Sequence, residues 1–363
     1  MSATPLIDLH KALGANLGEF AHVKTAMDYG DPVSEHIAAR TKVAIFDVSH
    51  MARIRVKGND VLQLLDVLVP KALTELSPGV MFGPTAFLNE EAGFRDDVMV
   101  YPLAKDELMI VGNAVNRQKD YEWIGQVAES RNLSVEVEDI TENTAMIAVQ
   151  GPETAKYVQK LGLSINDIPW MNFRKNVRLK YGELLLVSRS GWTGEDGIEI
   201  IGEPDTVAEI FRTLVKMGAK PAGLIARDTL RIEMGFRLYG AEIDENLNPL
   251  EARYWVFTYG KKTCIGCTKL NEILRHGCSK QLVGLKMKKG VKFIPRHGYK
   301  LLTFDGTEEI GYITSGALSP TLNRVIALGY VKSSHAVMGL RVIVEIRRKH
   351  YPARIVDFPF IEK

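Results

Sequence analysis

From about residue 280 onward the chain changes its rhythm, and no other feature constrains the fold as strongly. QLVGLKM, YKLLTF, EEIGYITSG, RVIALGYV and RVIVEIRRK follow one another as short strands at regular spacing, with turn residues between them. A succession of this kind points to a small β-barrel or sandwich. Upstream, strand-like and helix-like runs alternate, so a boundary falls near residues 275–280. At 363 residues the chain also exceeds the roughly 250–300 at which a single hydrophobic core stops growing, and more than one domain is expected.

Within the upstream part, SEHIAARTKVAIFDVSH at 34–50 reads as a helix with Ser34 at its N-cap, followed by a strand over 43–48. Residues 58–77 place Val61, Leu62, Leu64, Leu65 and Leu68 at helical spacing, with Asn59 or Asp60 as cap and Pro70 marking the end. TAFLNEEAGFRDDVMVY is a hairpin turning on Asn89, Glu90 and Gly93, with Asp96 and Asp97 opening its second strand. Strand, turn at 112–116 and helix come next. PDTVAEIFRTLVKMGA, capped by Asp205, and PAGLIARDTLRIEMGF read as helices.

Forty-six Lys and Arg against 44 Asp and Glu give a formal charge of +2, too balanced for nucleic acid to be the main partner. The basic run Arg341, Arg347, Arg348, Lys349, His350 is interleaved with apolar residues and reads as the charged face of a strand or as a docking surface for an acidic protein. No apolar stretch approaches the roughly 18 residues needed to span a bilayer, and MSATPLIDLHKALGA lacks a signal-peptide core. Three cysteines make no disulfide framework and fit a reducing compartment, so a cytoplasmic location without membrane association is expected. Cys264 and Cys267 form a C-x-x-C, read here as two incidental thiols near a helix start, with a redox or half-zinc role as the alternative. The eight histidines show no metal-ligand spacing, and no metal is expected.

Three constellations could carry chemistry. Asp96 and Asp97 must point to opposite faces of a strand, so only one of them can serve a given pocket; the pair is either turn-closing and solvated, or presents one functional carboxylate that orients and accepts from an amine. GWTGEDG sets Glu195 in a glycine-rich corner, either as a plain turn residue or as a receptor for a guanidine-like edge, such as the adjacent N–H and NH₂ of a pterin ring. Arg227 and Arg231 share a helical face with Asp228 beside them, which suits an anion clamp or an ordinary surface ion pair.

Taken in order, TPLIDLHKALGA at 4–15, FDVSHM at 46–51, LNEEAGFRDDVMVY at 88–101, NAVNRQKD at 113–120, VQGP at 149–152, GWTGEDGIEI at 191–200, ARDTLRIEMGFRLYG at 226–240 and TSGALSPTLNRVIALGYV at 314–331 resemble the folate-dependent aminomethyltransferase family. The resemblance implies an α+β, multi-domain, cloverleaf-like folate-binding body over 1–278, made of two intertwined domains, with a β-rich barrel over 279–363. It also implies transfer of a methylene from an aminomethyl group on the lipoyl arm of the H protein to tetrahydrofolate, with release of ammonia. By the same resemblance Asp97 sits beside the reacting folate nitrogen, Glu195 meets the pterin, Asn113 and Tyr101 stand in the pocket wall, Arg227 belongs to the pocket and Met51 packs near the pterin. Departures from the family pattern fall at FAHVKTAMDYG (20–30), Pro84, Trp192 and CIGC (264–267). They keep two other readings in view: a tetrahydrofolate-dependent demethylase of a small methylated donor, and a non-catalytic folate-binding module.

Overall fold

A computed structural model describes residues 2–362. Two compact units emerge: one runs to Phe87 and resumes over Asp96–Arg227, and the other takes Leu88–Arg95 and the chain from Asp228 onward.

The first unit holds three sheets. A six-stranded sheet runs in the order Phe173–Leu179, Gly182–Ser188, Gly197–Gly202, Ala145–Gln150, Ala44–Asp47, Lys220–Ala222, antiparallel except for the last pair. Its central strand Ala145–Gln150 is buried throughout, and helix Pro204–Lys216 packs Val207, Phe211 and Leu214 into the same core as Ile147, Val149 and Ile200. A five-stranded sheet runs Phe82–Leu88, Phe94–Ala104, Glu107–Gly112, Ala52–Lys57, Glu136–Asp139, and a small sheet joins Ser2–Ala3, Val23–Asp28 and Asn16–Phe20.

Two helix starts differ from expectation. Helix Pro32–Thr41 is capped by Asp31, whose carboxylate accepts the N–H groups of Val33 and Ser34 at 3.1 Å each, so Ser34 lies inside the helix. Helix Pro204–Lys216 begins after Glu203, which puts Asp205 in its first turn. In both, the proline at the first helical position sets the start, because its fixed φ is already helical and it has no N–H to satisfy.

In the second unit six strands close into a barrel: Lys280–Met287, Arg324–Lys332, Glu309–Ser319, Lys300–Leu302, Arg341–Ile346, Lys349–Val356 and back to the first. Val283, Leu285, Leu301, Val342, Val344 and Ile355 fill its interior. The alternate residues Leu282, Ile326, Leu328 and Tyr330 are buried outside it, against Ile232, Leu247 and Phe360. The basic run is a hairpin with Arg347 and Arg348 at its tip, both at positive φ, and Val342, Val344 and Ile346 turned inward. Cys264 and Cys267 are joined as a disulfide immediately before helix Cys267–His276, so they are not two free thiols. The turn conformation that Gly266 permits at φ +76° brings their Cα atoms to 5.1 Å. Among the described residues no helix is long and apolar enough to cross a membrane.

Candidate active site

Strand Phe94–Ala104 sorts the two aspartates by simple alternation. Asp96 is fully buried, and Asp97, on the other face, is half-buried. Asp96 Oδ1 accepts the side-chain amides of Asn113 and Asn116 at 2.7 Å each, and Oδ2 accepts the Asn113 backbone N–H at 2.9 Å. The Asn113 amide also donates to Asp97 Oδ1 at 2.7 Å, so one side chain bridges both carboxylates. Burial raises the Asp96 pKa, against the hydrogen bonds it accepts.

Met99 and Tyr101 follow Asp97 on the same strand face. Tyr101 lies inside the body at 1% exposure, edge to face with Phe173 at 5.4 Å, with the Ser188 and Ser190 hydroxyls near its own. Burial pushes that hydroxyl's pKa well above the ordinary tyrosine range. Ser190 in turn donates to Glu199 at 2.6 Å.

The glycine-rich corner is stitched from both sides. Arg40 Nη1, from helix Pro32–Thr41, donates to Glu195 Oε1 at 2.9 Å and to the Thr193 carbonyl at 2.6 Å. Thr193 donates its hydroxyl to Gln150 Oε1 at 2.8 Å, and the Gln150 amide donates to the Ser190 carbonyl at 2.9 Å. A Cβ on Gly191 would stand 1.8 Å from Gln150 Oε1, so only glycine fits there. Glu195 is thereby fixed and nine-tenths buried beside a permanent cation. Asp196 of the same motif is paired in two bonds with Arg189, at 2.9 and 2.7 Å.

Arg227, at 6% exposure, lays its guanidinium over the Trp192 ring at 5.1 Å. Its Nη1 has no hydrogen-bond partner among the described residues. Burial pushes its pKa down to about 10, while the Glu199 charge works the other way. Arg231, the expected companion on the helix face, is neither free to clamp an anion nor on the surface. It is 2% exposed and donates to Asp228 at 2.8 Å, Glu242 at 2.6 Å and Ser315 at 2.8 Å, a buried structural knot of the second unit.

Met51 is half-buried at the end of FDVSHM. Arg53, with no exposure at all, donates to the carbonyls of Ser49, Met51, Thr141 and Thr144 and to the Thr144 hydroxyl, pinning the loop that carries Met51. His50 beside it feels the charges of Asp47, Arg227 and Arg53. Within the first unit Met51 thus follows His50, Arg227 lies over Trp192, Glu199 accepts from Ser190, Glu195 pairs with Arg40, and Asp97 accepts from Asn113. Sequence reading missed Arg40, Gln150, Arg53 and Glu199, the first three of which act across a long chain separation.

Comparison with known proteins extends over nearly the whole chain. Residues 6–262 match the GCVT N-terminal domain family and residues 280–362 the glycine cleavage T-protein C-terminal barrel domain family. A "probable aminomethyltransferase" of Aeropyrum pernix is 40% identical, across 98% of this chain and 96% of that protein. An aminomethyltransferase of Halothermothrix orenii is 38% identical, across 99% of this chain and 100% of its own. The crystal structure of glycine cleavage system aminomethyltransferase T from Bartonella henselae superposes with a TM-score of 0.92 at 30% identity, covering 99% of this chain and 98% of that one. Its α+β class, its closed C-terminal barrel and these full-length matches place the chain in the aminomethyltransferase family, the T protein of the glycine cleavage system.

Proposed function

We propose that the chain takes the methylene of an aminomethyl group on the lipoyl arm of the H protein and passes it to tetrahydrofolate, releasing ammonia, with Asp97 as the catalytic carboxylate. The observation that carries this reading is a buried Arg227 whose Nη1 still has a hydrogen to donate, in the same unit as a half-buried Asp97 held by Asn113. A buried N–H without an acceptor costs roughly 1–3 kcal/mol, and a ligand carbonyl or carboxylate beside Trp192 would satisfy it. Folate offers both. Tetrahydrofolate supplies the amine nitrogen that takes up the carbon.

The chain's own residues do the rest. Glu195, paired with Arg40, suits the paired N–H donors of a pterin edge. Met51, on its pinned loop, offers an adaptable apolar surface to the ring. Asp97, its rotation set by Asn113, orients the amine and stabilises the positive charge that develops next to it. Tyr101 backs this face from inside the body.

Purified protein given aminomethyl-loaded H protein and tetrahydrofolate is expected to release ammonia. Asp97→Asn should lower that turnover by about 10²-fold or more while tetrahydrofolate still binds. Retained turnover in Asp97→Asn would remove Asp97 from the chemistry. Turnover only with a free methylated amine as donor would establish the demethylase reading instead.

A further inference from the structure

Behind Asp97 lies a second carboxyl group that the reaction as described does not use. Asp120 is 1% exposed, sits in the first turn of helix Arg117–Ser130 and brings its carboxyl beside that of Asp96 at Gly112. Two buried carboxyls side by side repel when both are ionised, which favours one proton held in the pair. Asp96 receives the Asn113 and Asn116 amides and the Asn113 backbone N–H, three donors that favour its charged form, and the shared proton is accordingly assigned to Asp120.

The surroundings are built around this pair. A Cβ on Gly112 would stand 2.7 Å from Asp96 Oδ2 and 3.4 Å from Asp120 Oδ2, so the glycine admits both carboxyls. Asn116 occupies the N-cap of its helix yet gives no side-chain cap; its amide goes to Asp96. Buried polar groups of this kind contribute less stability than an apolar pair of the same shape, so the arrangement is better explained by geometry than by stability. Its outlet is the Asn113 amide, with one hydrogen on Asp96 Oδ1 and one on Asp97 Oδ1, both at 2.7 Å.

We propose that Asp120 is a positioning residue for the transfer: its carboxyl proton, donated to Asp96, keeps Asp96 a fixed acceptor, and through the bridging Asn113 amide this sets the rotation of the Asp97 carboxylate. The inference rests on the reading of Asp97 given above. Without that proton two ionised carboxylates would face each other in the interior, and the anchor of Asn113 would shift. Asp97 would lose its aim, and misaligned groups forfeit rate without forfeiting binding.

The test compares variants in the ammonia-release assay, with aminomethyl-loaded H protein and varied tetrahydrofolate. Asp120→Asn keeps a neutral N–H donor toward Asp96 and should hold kcat within about 3-fold of the parent, whereas Asp120→Ala should lower kcat by about 30-fold with KM for tetrahydrofolate within about 2-fold. A kcat for Asp120→Ala within about 3-fold of the parent would overturn the inference, as would an Asp120→Asn as slow as Asp120→Ala. Infrared spectra decide the matter even if Asp120→Ala does not fold. The parent at pH 7 should show the carbonyl band of one neutral buried carboxyl, and Asp120→Asn should lack it; no such band in the parent refutes the proton assignment. Asp97→Asn run alongside separates the two readings. If it stays active, the role of Asp97 falls; if it is inactive while Asp120→Ala is not, only the positioning role of Asp120 falls.

Discussion

His50 is closed in by Phe20, edge to face at 5.2 Å, and its Nδ1 has no hydrogen-bond partner among the described residues. Burial pushes its pKa down to about 4; the Asp47 charge opposes that shift, and Arg227 and Arg53 reinforce it. The unfolded chain takes up this proton near pH 6.5, while the folded chain resists until about pH 4. The contribution is therefore complete above pH 6.5 and lost as pH falls through about 4. Two and a half units correspond to about 3 kcal/mol. Urea unfolding of the parent between pH 7.5 and 4 should show that loss, and His50→Leu, which cannot titrate, should lose about 3 kcal/mol less over the same interval. Equal slopes for the two would refute the assignment. At this scale the sequence is half legible. Alternation alone says that Asp96 and Asp97 part company, and the structure supplies the direction, with Asp96 inward. Arg40 stands 155 residues from the Glu195 it holds, and no local pattern in PVSEHIAART distinguishes it from a surface arginine.

At the scale of elements, the clip before helix Cys267–His276 shows how spacing can be visible while its consequence is not. A C-x-x-C suits a metal, a bond or nothing; the local turn decides. Here Gly266 adopts φ +76°, and a Cβ on it would stand 2.4 Å from the Asn89 carbonyl, so the turn is held against the tip of the 82–104 hairpin. The Asn271 amide ties the same corner by donating to the carbonyls of Lys261 at 2.7 Å and Cys267 at 2.9 Å. Unreduced protein in denaturant is expected to present one reactive thiol, Cys278, and reduced protein three. Closing so short a loop stabilises by about 2 kcal/mol on the chain-entropy estimate, so Cys264→Ser should lower unfolding free energy by that amount, as should adding dithiothreitol to the parent. Three thiols before reduction would contradict the bond. Two helix starts depart from the capping pattern for a related reason. Ser34 and Asp205 have good capping side chains, but Pro32 and Pro204 set the register of the first turn.

For the whole molecule, the change of rhythm near residue 280 locates the first barrel strand, at Lys280, yet the compact unit containing the barrel begins at Asp228 and borrows Leu88–Arg95. The reason lies in strands such as QLVGLKM. Their near-continuous apolar character reflects burial on both faces, and from sequence the cover on the outer face has no address. The structure gives it one. Ile232 and Leu247 pack on Leu282, Ile326, Leu328 and Tyr330. Polar ties run the same way: Thr314 donates to Glu242 at 2.6 Å, Arg231 to Ser315 at 2.8 Å, Ser319 to Glu233, and the Tyr330 hydroxyl to the Glu242 carbonyl at 2.7 Å. A fragment of residues 279–363 would turn that face to water. Uncovering even a few such side chains costs on the order of 5 kcal/mol, comparable with the whole stability of a small domain. That fragment should therefore aggregate or bind a hydrophobic dye without a cooperative thermal transition, whereas residues 228–363 should stay soluble and melt cooperatively. A sharp transition in 279–363 alone would show that the barrel interior suffices and that residues 228–278 are an accessory to it rather than half of its core.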